Sequence, residues 1–253
     1  MNAEVRQKKI EYHLKKVEFA SLDELAVMFD ASVSTVRRDV TQLETKGLAK
    51  RTHGGVRLMK PSSDEFAFTS RDTHQLIEKE MIGRTAAKLI EPNQTVILDA
   101  GTTVFHVAKY LESKTPHIIT NSLPVANHYA SNHLIEVVLT GGVIYPRLGV
   151  LVGPLAVESF SRMQADIAIM SAGGITLDGI SNSHVLLIEI QQAMMRAAEK
   201  VIICIDHTKF GRKSLTRLCG LGQIDMLVTN ERAPMEMIKE MEKTGLEVHL
   251  AKS

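Results

Sequence analysis

Apolar residues in the first sixty positions recur at the spacing of short amphipathic helices. Val5, Ile10, Leu14 and Val17 form one stripe through Glu4 to Lys16, which predicts a first helix. Ser21 followed by Glu24 has the pattern of a capping box opening a second, with Leu22, Leu25, Ala26 and Phe29 on its inner face. After the polar break Asp30-Ala31-Ser32, Val33, Val36, Val40 and Leu43 return at helical spacing and predict a third helix ending near Lys46-Gly47. The segment from Leu48 to Leu58 reads as two short strands about a Gly54-Gly55 turn.

The pattern then changes. Met59 to Thr73, rich in Pro, Ser and acids and without a period, is expected to link two domains. Leu76, Ile77, Met81, Ile82, Ala86 and Leu89 restore a helix that Pro92 terminates. Beyond it, seven β-rich runs alternate with helical stretches: Thr95–Leu98, Ile118–Ile119, Val137–Leu139, Ile167–Met170, Val201–Ile205, Met226–Thr229 and Leu246–Leu250. That alternation predicts a parallel α/β sheet. The division expected is residues 1–58 as a small winged head, 59–73 as linker and 74–253 as the larger α/β domain.

Composition narrows the class. A hydrophobic fraction of 44% and a charged fraction of 23% describe a soluble globular chain. Net charge is only +1, but the first 60 residues carry +4 and the remainder −3, so the basic excess lies where a polyanion would bind. Two cysteines, Cys204 within an apolar run, fit free thiols in a reducing compartment. No leader-like apolar segment or membrane-length run is visible, which implies a cytoplasmic protein without membrane contact.

Three short helices followed by a basic hairpin compose a winged helix-turn-helix, whose third helix would enter a major groove of double-stranded DNA. Ser34 and Thr35 offer hydroxyls, while Arg37 and Arg38 supply forks that suit guanine edges or phosphates. Arg51, His53, Gly54 and Gly55 would line the wing, the glycines allowing close backbone approach. The run Ser34-Thr35-Val36-Arg37-Arg38-Asp39-Val40, with Leu43, Gly47 and Arg51-Thr52-His53-Gly54-Gly55, resembles the DeoR family of bacterial sugar-metabolism regulators. By that resemblance Arg37 and Arg38 contact the operator, and Arg51 and His53 lie near the backbone or minor groove.

Five of the seven runs end in small, polar or glycine clusters, the place where open α/β sheets bind ligands. Gly101, Thr102 and Thr103 opening a helix would cradle a phosphate, Gly141 and Gly142 would permit close approach, and Lys209 would add charge. Asp99, Asn121 and Asp178 are candidate partners for sugar hydroxyls, with Ser122 beside Asn121. The absence of G-x-G-x-x-G and Walker motifs leaves no nucleotide cofactor implied, and ten scattered histidines imply no metal.

The resemblance continues through Asp99–Thr103, Thr120–Ser122, Thr140–Gly142 and Asp206–Gly211. It implies a sensor domain similar to ribose phosphate isomerase and glucosamine phosphate deaminase folds, a phosphorylated sugar or polyol effector, repression relieved by it, and a homo-oligomer, dimer or tetramer. Around Leu187 and Gln191, where many relatives are acidic and then basic, this chain is neutral. The alternative is a sugar-phosphate isomerase or deaminase carrying an accessory DNA domain, with Asp99 or Glu189 as base; the resemblance implies no catalytic residue.

Overall fold

A computed structural model describes residues 2–17, 19–45, 48–52, 54–58 and 67–252. The chain divides into two compact units, Met1–Glu65 and Phe66–Ser253.

In the first unit, α1 (Ala3–Val17), β1 (Phe19–Ser21), α2 (Leu22–Met28) and α3 (Val33–Thr45) precede the hairpin β2 (Ala49–Thr52) and β3 (Gly55–Leu58). Ser21 caps α2 reciprocally with Glu24, the capping box read from the sequence. Ile10 and Leu14, Leu25 and Ala26, and Val36, Val40 and Leu43 bury together with Ala20, Ala49 and Val56. The stripe expected on α1 is only half right, because Val5 and Val17 are exposed. Strand β1, not anticipated, pairs antiparallel with β3 and makes the sheet three-stranded, in the order β1-β3-β2.

The second unit opens with α4 (Phe68–Thr73), a helical turn in the segment expected to be linker, and α5 (Leu76–Lys88). There follow β4 (Thr95–Leu98), α6 (Thr102–Ala108), β5 (His117–Thr120), α7 (Leu123–Tyr129), β6 (Val137–Leu139), β7 (Val143–Tyr145), β8 (Val150–Val152), α8 (Pro154–Ser161) and β9 (Ala165–Met170). Next come β10 (Gly174–Thr176), β11 (Gly179–Asn182), α9 (Val185–Ala197), β12 (Ala198–Cys204), β13 (Thr216–Cys219), β14 (Met226–Asn230), α10 (Met235–Glu242) and β15 (Glu247–Ala251).

Seven strands form one sheet in the order β15-β14-β12-β9-β4-β5-β6, and every pairing in it is parallel. These are the seven runs the sequence marks. The apolar character of the inner strands β4, β9 and β14 follows from burial on both faces, whereas the edge strands β6 and β15 are partly exposed. Val96 and Leu98 of β4, with Ile167 and Ile169 of β9, join the core beneath α5, α6 and α7. Ile97, Ala168 and Met170 face the opposite core with Ile190 and Met194 of α9.

Chain order reverses between β4 and β9: one branch runs β4-β5-β6 and the other β9-β12-β14-β15. At such a switch point the flanking loops diverge and leave a crevice at the C-terminal strand ends. The helices bordering it are held by close contact. A Cβ on Gly83 of α5 would lie 2.7 Å from the backbone carbonyl of His106 in α6. Gly83→Ala is therefore expected to force α5 from α6 and lower stability by ~1–3 kcal/mol, read by denaturant unfolding of the full chain. Among the described residues, no helix is long and apolar enough to cross a membrane.

Candidate nucleic-acid interface and ligand crevice

Burying Val36, Val40 and Leu43 turns the opposite face of α3 outward, and Ser34, Arg37 and Arg38 are exposed there. Neither guanidinium group has an ion-pair or hydrogen-bond partner among the described residues. Ser32 organises the helix start: its Oγ accepts from the Thr35 backbone N–H at 3.2 Å and lies 2.9 Å and 2.8 Å from the hydroxyls of Ser34 and Thr35. Asp39, the next residue after the arginines, points the other way. It is buried and forms an ion pair with Arg6 of α1, while Gln7 donates to its other oxygen at 3.3 Å. A second contact, Gln7 to Gln42, joins the same two helices. The pitch of α3 is thus fixed by an ionic clamp on its inner face.

The wing is strapped to α3. Glu44 accepts from the Arg51 backbone N–H at 3.0 Å and from its Nε at 3.1 Å, so Arg51 is engaged within the unit. Gly54 turns the hairpin at φ +87° with open space around it. Gly55 does something other than approach a ligand: a Cβ there would lie 2.4 Å from the Ala20 carbonyl oxygen. Its close contact is internal, with β1. His53 and Gly47 lie outside the described residues.

In the second unit the switch point brings Asp99, Gly101, Ser171 and Gln191 together. Asp99 is 3% exposed; its Oδ2 accepts from the Ser171 N–H at 3.1 Å, the Ser171 hydroxyl at 3.3 Å and Gln191 Nε2 at 3.2 Å. Burial pushes the Asp99 carboxyl above the usual carboxylate range, opposed by these donors and the Ala100 N–H. Gln191 also donates to the Ser171 carbonyl at 3.2 Å and accepts from Asn182 at 3.1 Å. Asp99 therefore ties β4, β9 and α9 to one another. Gly101 is required by the same junction, since a Cβ would lie 1.8 Å from Ser171 Oγ.

Thr102 and Thr103 start α6, and among the described residues no hydrogen bond engages their hydroxyls. Asn121 is held through Nδ2 to the Leu151 carbonyl at 3.0 Å, but its Oδ1 is buried without a partner among the described residues, as is Thr140 Oγ1 on the neighbouring strand end. Ser122 is occupied as the N-cap of α7, accepting from Val125 at 3.3 Å. Gly141 is exposed, whereas Gly142, at φ +133°, packs where a Cβ would meet the Val152 carbonyl at 2.6 Å. Asp178 sits outside this group, exposed and paired with Lys213 at 2.7 Å.

Lys209 follows β12 on a short turn capped by Asp206, and burial lowers its pKa. Beside it is Lys79 of α5, which residue-type reasoning passes over: it is 4% exposed, with its ammonium donating to the Arg71 carbonyl. Its signal is positional, for Lys79 falls on the stripe of Ile82, Ala86 and Ile90, all buried.

The DeoR-like helix-turn-helix domain matches residues 6–62, and the DeoR C terminal sensor domain matches residues 74–231. The chain belongs to the DeoR family. It is 33% identical to the HTH-type transcriptional regulator GolR of Listeria innocua, covering 97% of this chain and 98% of that protein. To the glycerol-3-phosphate regulon repressor of Escherichia coli it is 28% identical, covering 94% of each. Among solved structures, ribose 5-phosphate isomerase A of Methanocaldococcus jannaschii is 16% identical, covering 52% of this chain and 53% of that chain, with a TM-score of 0.38. As a DeoR-family member the chain is a DNA-binding transcriptional regulator with a C-terminal sensor domain.

Proposed function

We propose that this protein represses a carbohydrate-utilisation operon in the cytoplasm and that a phosphorylated sugar or polyol controls its grip on the operator. Residues 1–58 act as the DNA head, 74–253 as the effector and oligomerisation module, and the segment between them joins the two. The observation that carries the reading is the pair Arg37 and Arg38, exposed without ion-pair partners among the described residues beside a helix face locked by Asp39. Unpaired guanidinium groups on a rigid helix suit major-groove and phosphate contacts.

On the sensor side, the hydroxyls of Thr102 and Thr103 and Oδ1 of Asn121, without hydrogen-bond partners among the described residues, line the C-terminal strand ends where a polyol phosphate would lie. Asp99 supports sensing over catalysis: it is buried, and its carboxylate is held within the junction of β4, β9 and α9 by Ser171 and Gln191. A homo-oligomer, dimer or tetramer, would present paired heads to half-sites about one helical turn apart.

The test is a mobility shift with DNA from upstream of the chain's own gene, at fixed salt, with phosphorylated sugars and polyols and their unphosphorylated counterparts. Specific binding altered only by a phosphorylated compound is expected. Specific binding indifferent to all of them would refute the effector reading, and no specific binding would refute the regulator itself.

A further inference from the structure

We propose that the free edge of β6 is where this chain pairs with a second copy of itself, a reading that rests on the oligomerisation role above and gives that role a surface. β6 ends the seven-stranded sheet, and among the described residues no strand pairs with its outer edge. The Ile118 N–H donates to the Glu136 carbonyl at 2.9 Å, and the Thr140 N–H donates to the Thr120 carbonyl at 3.0 Å. Glu136 and Thr140 therefore turn backbone groups toward β5. Because these directions alternate along a strand, Val137 and Leu139 turn theirs to the open side.

Such an edge templates further pairing unless charge, proline or a bulge blunts it. The opposite edge of the sheet is blunted, since β15 carries Glu247 and His249 with Lys252 just beyond. β6 has no such guard. From Val137 to Pro146 the chain holds no charged residue, and Leu134, Val138, Leu139 and Val143 are 38% to 79% exposed. Leu155 of α8, also exposed, adjoins them at Gly141, where an added Cβ would lie 3.9 Å from that of Leu155. These five residues offer roughly 500 Å² of apolar surface, most of the ~800 Å² that each partner buries in a stable interface.

The edge is complementary to itself. An antiparallel pair about a two-fold axis at Val138 sets Val137 of each copy opposite Leu139 of the other, so their outward N–H and carbonyl groups exchange hydrogen bonds. Glu136 of each copy then stands opposite Thr140 of the other, and no like charges meet.

The test is sedimentation equilibrium of the full-length protein, of Val138→Lys and Val138→Glu, and of Leu215→Lys as control. Leu215, just before β13, is 77% exposed and lies outside this edge. The parent should be a dimer or a multiple of one. Each Val138 variant sets like charges across the axis and should weaken association about ten- to a hundredfold, giving a smaller species. Both should keep the parent's circular dichroism, because Val138 is exposed in the single chain. Mixing the two should restore the parent's mass, since opposite charges then meet. Leu215→Lys should sediment as the parent does.

A monomeric parent, a mixture that stays dissociated, or equal dissociation of Leu215→Lys overturns the proposal. If both Val138 variants keep the parent's oligomeric mass, the oligomer reading stands and the β6 edge falls. If they dissociate and recover on mixing but the parent binds no operator specifically, the edge stands and the regulator reading falls.

Discussion

Asp39→Ala is expected to unfold or severely loosen the first unit and to abolish operator binding, although Asp39 faces away from any duplex. The substitution takes the Asp39 carboxylate from Arg6, 8% exposed, and removes one acceptor of Gln7. Breaking a buried ion pair from one side costs ~3–5 kcal/mol, which approaches the whole stability of a domain this small. Calorimetry of the full chain should show early loss of a transition belonging to residues 1–65, with the transition of the second unit retained. The double replacement Arg6→Met with Asp39→Leu should recover much of that stability, because two apolar residues leave no buried charge unpaired. Unchanged unfolding in Asp39→Ala would mean that the clamp does not hold α3.

The major elements were legible because they follow two strong periodicities. The inner strands of the sheet are largely buried on both faces, so they appear as apolar runs that no helix of that length would require, while the edge strands β6 and β15 are partly exposed. Strands β1, β7, β8, β10, β11 and β13 were not anticipated. They are three or four residues long and take their partners by antiparallel pairing across turns and loops, which leaves no periodic trace. Val5 and Val17 misled because an apolar residue at helical spacing need not find a partner when the domain is small.

Residue type alone located the strand-end chemistry but could not separate ligand groups from internal ones. Asp99, Ser122, Gly55, Gly101 and Gly142 looked like binding residues, and each has a structural role in a hydrogen-bond junction, a cap or a close crossing. Gln191 explains part of this. Its neutral amide lets Nε2 serve as one of the donors that hold Asp99 inside the protein. Lys79 was missed for the opposite reason: lysine reads as a solvated side chain unless its place on the buried stripe of α5 is weighed.

Arg37→Ala and Arg38→Ala should each weaken operator binding by ~1–3 kcal/mol, about five- to over a hundredfold, without lowering stability. Both side chains are exposed and carry no described ion pair, and alanine is the best helix former, so α3 itself should be unaffected. The salt dependence tells the two possible roles apart. An arginine that reads a base edge should lose discrimination between the operator and a variant site, with the slope of log affinity against log salt little changed. An arginine on a phosphate should weaken all sequences alike and reduce that slope by about one. Arg51→Ala provides the internal contrast. Its Nε and backbone N–H are bound to Glu44 at 3.1 and 3.0 Å, so its loss should chiefly loosen the wing and weaken binding less than either helix arginine. If Arg51→Ala proved the most damaging of the three, contact with DNA would have to centre on the wing, with Glu44 released on binding.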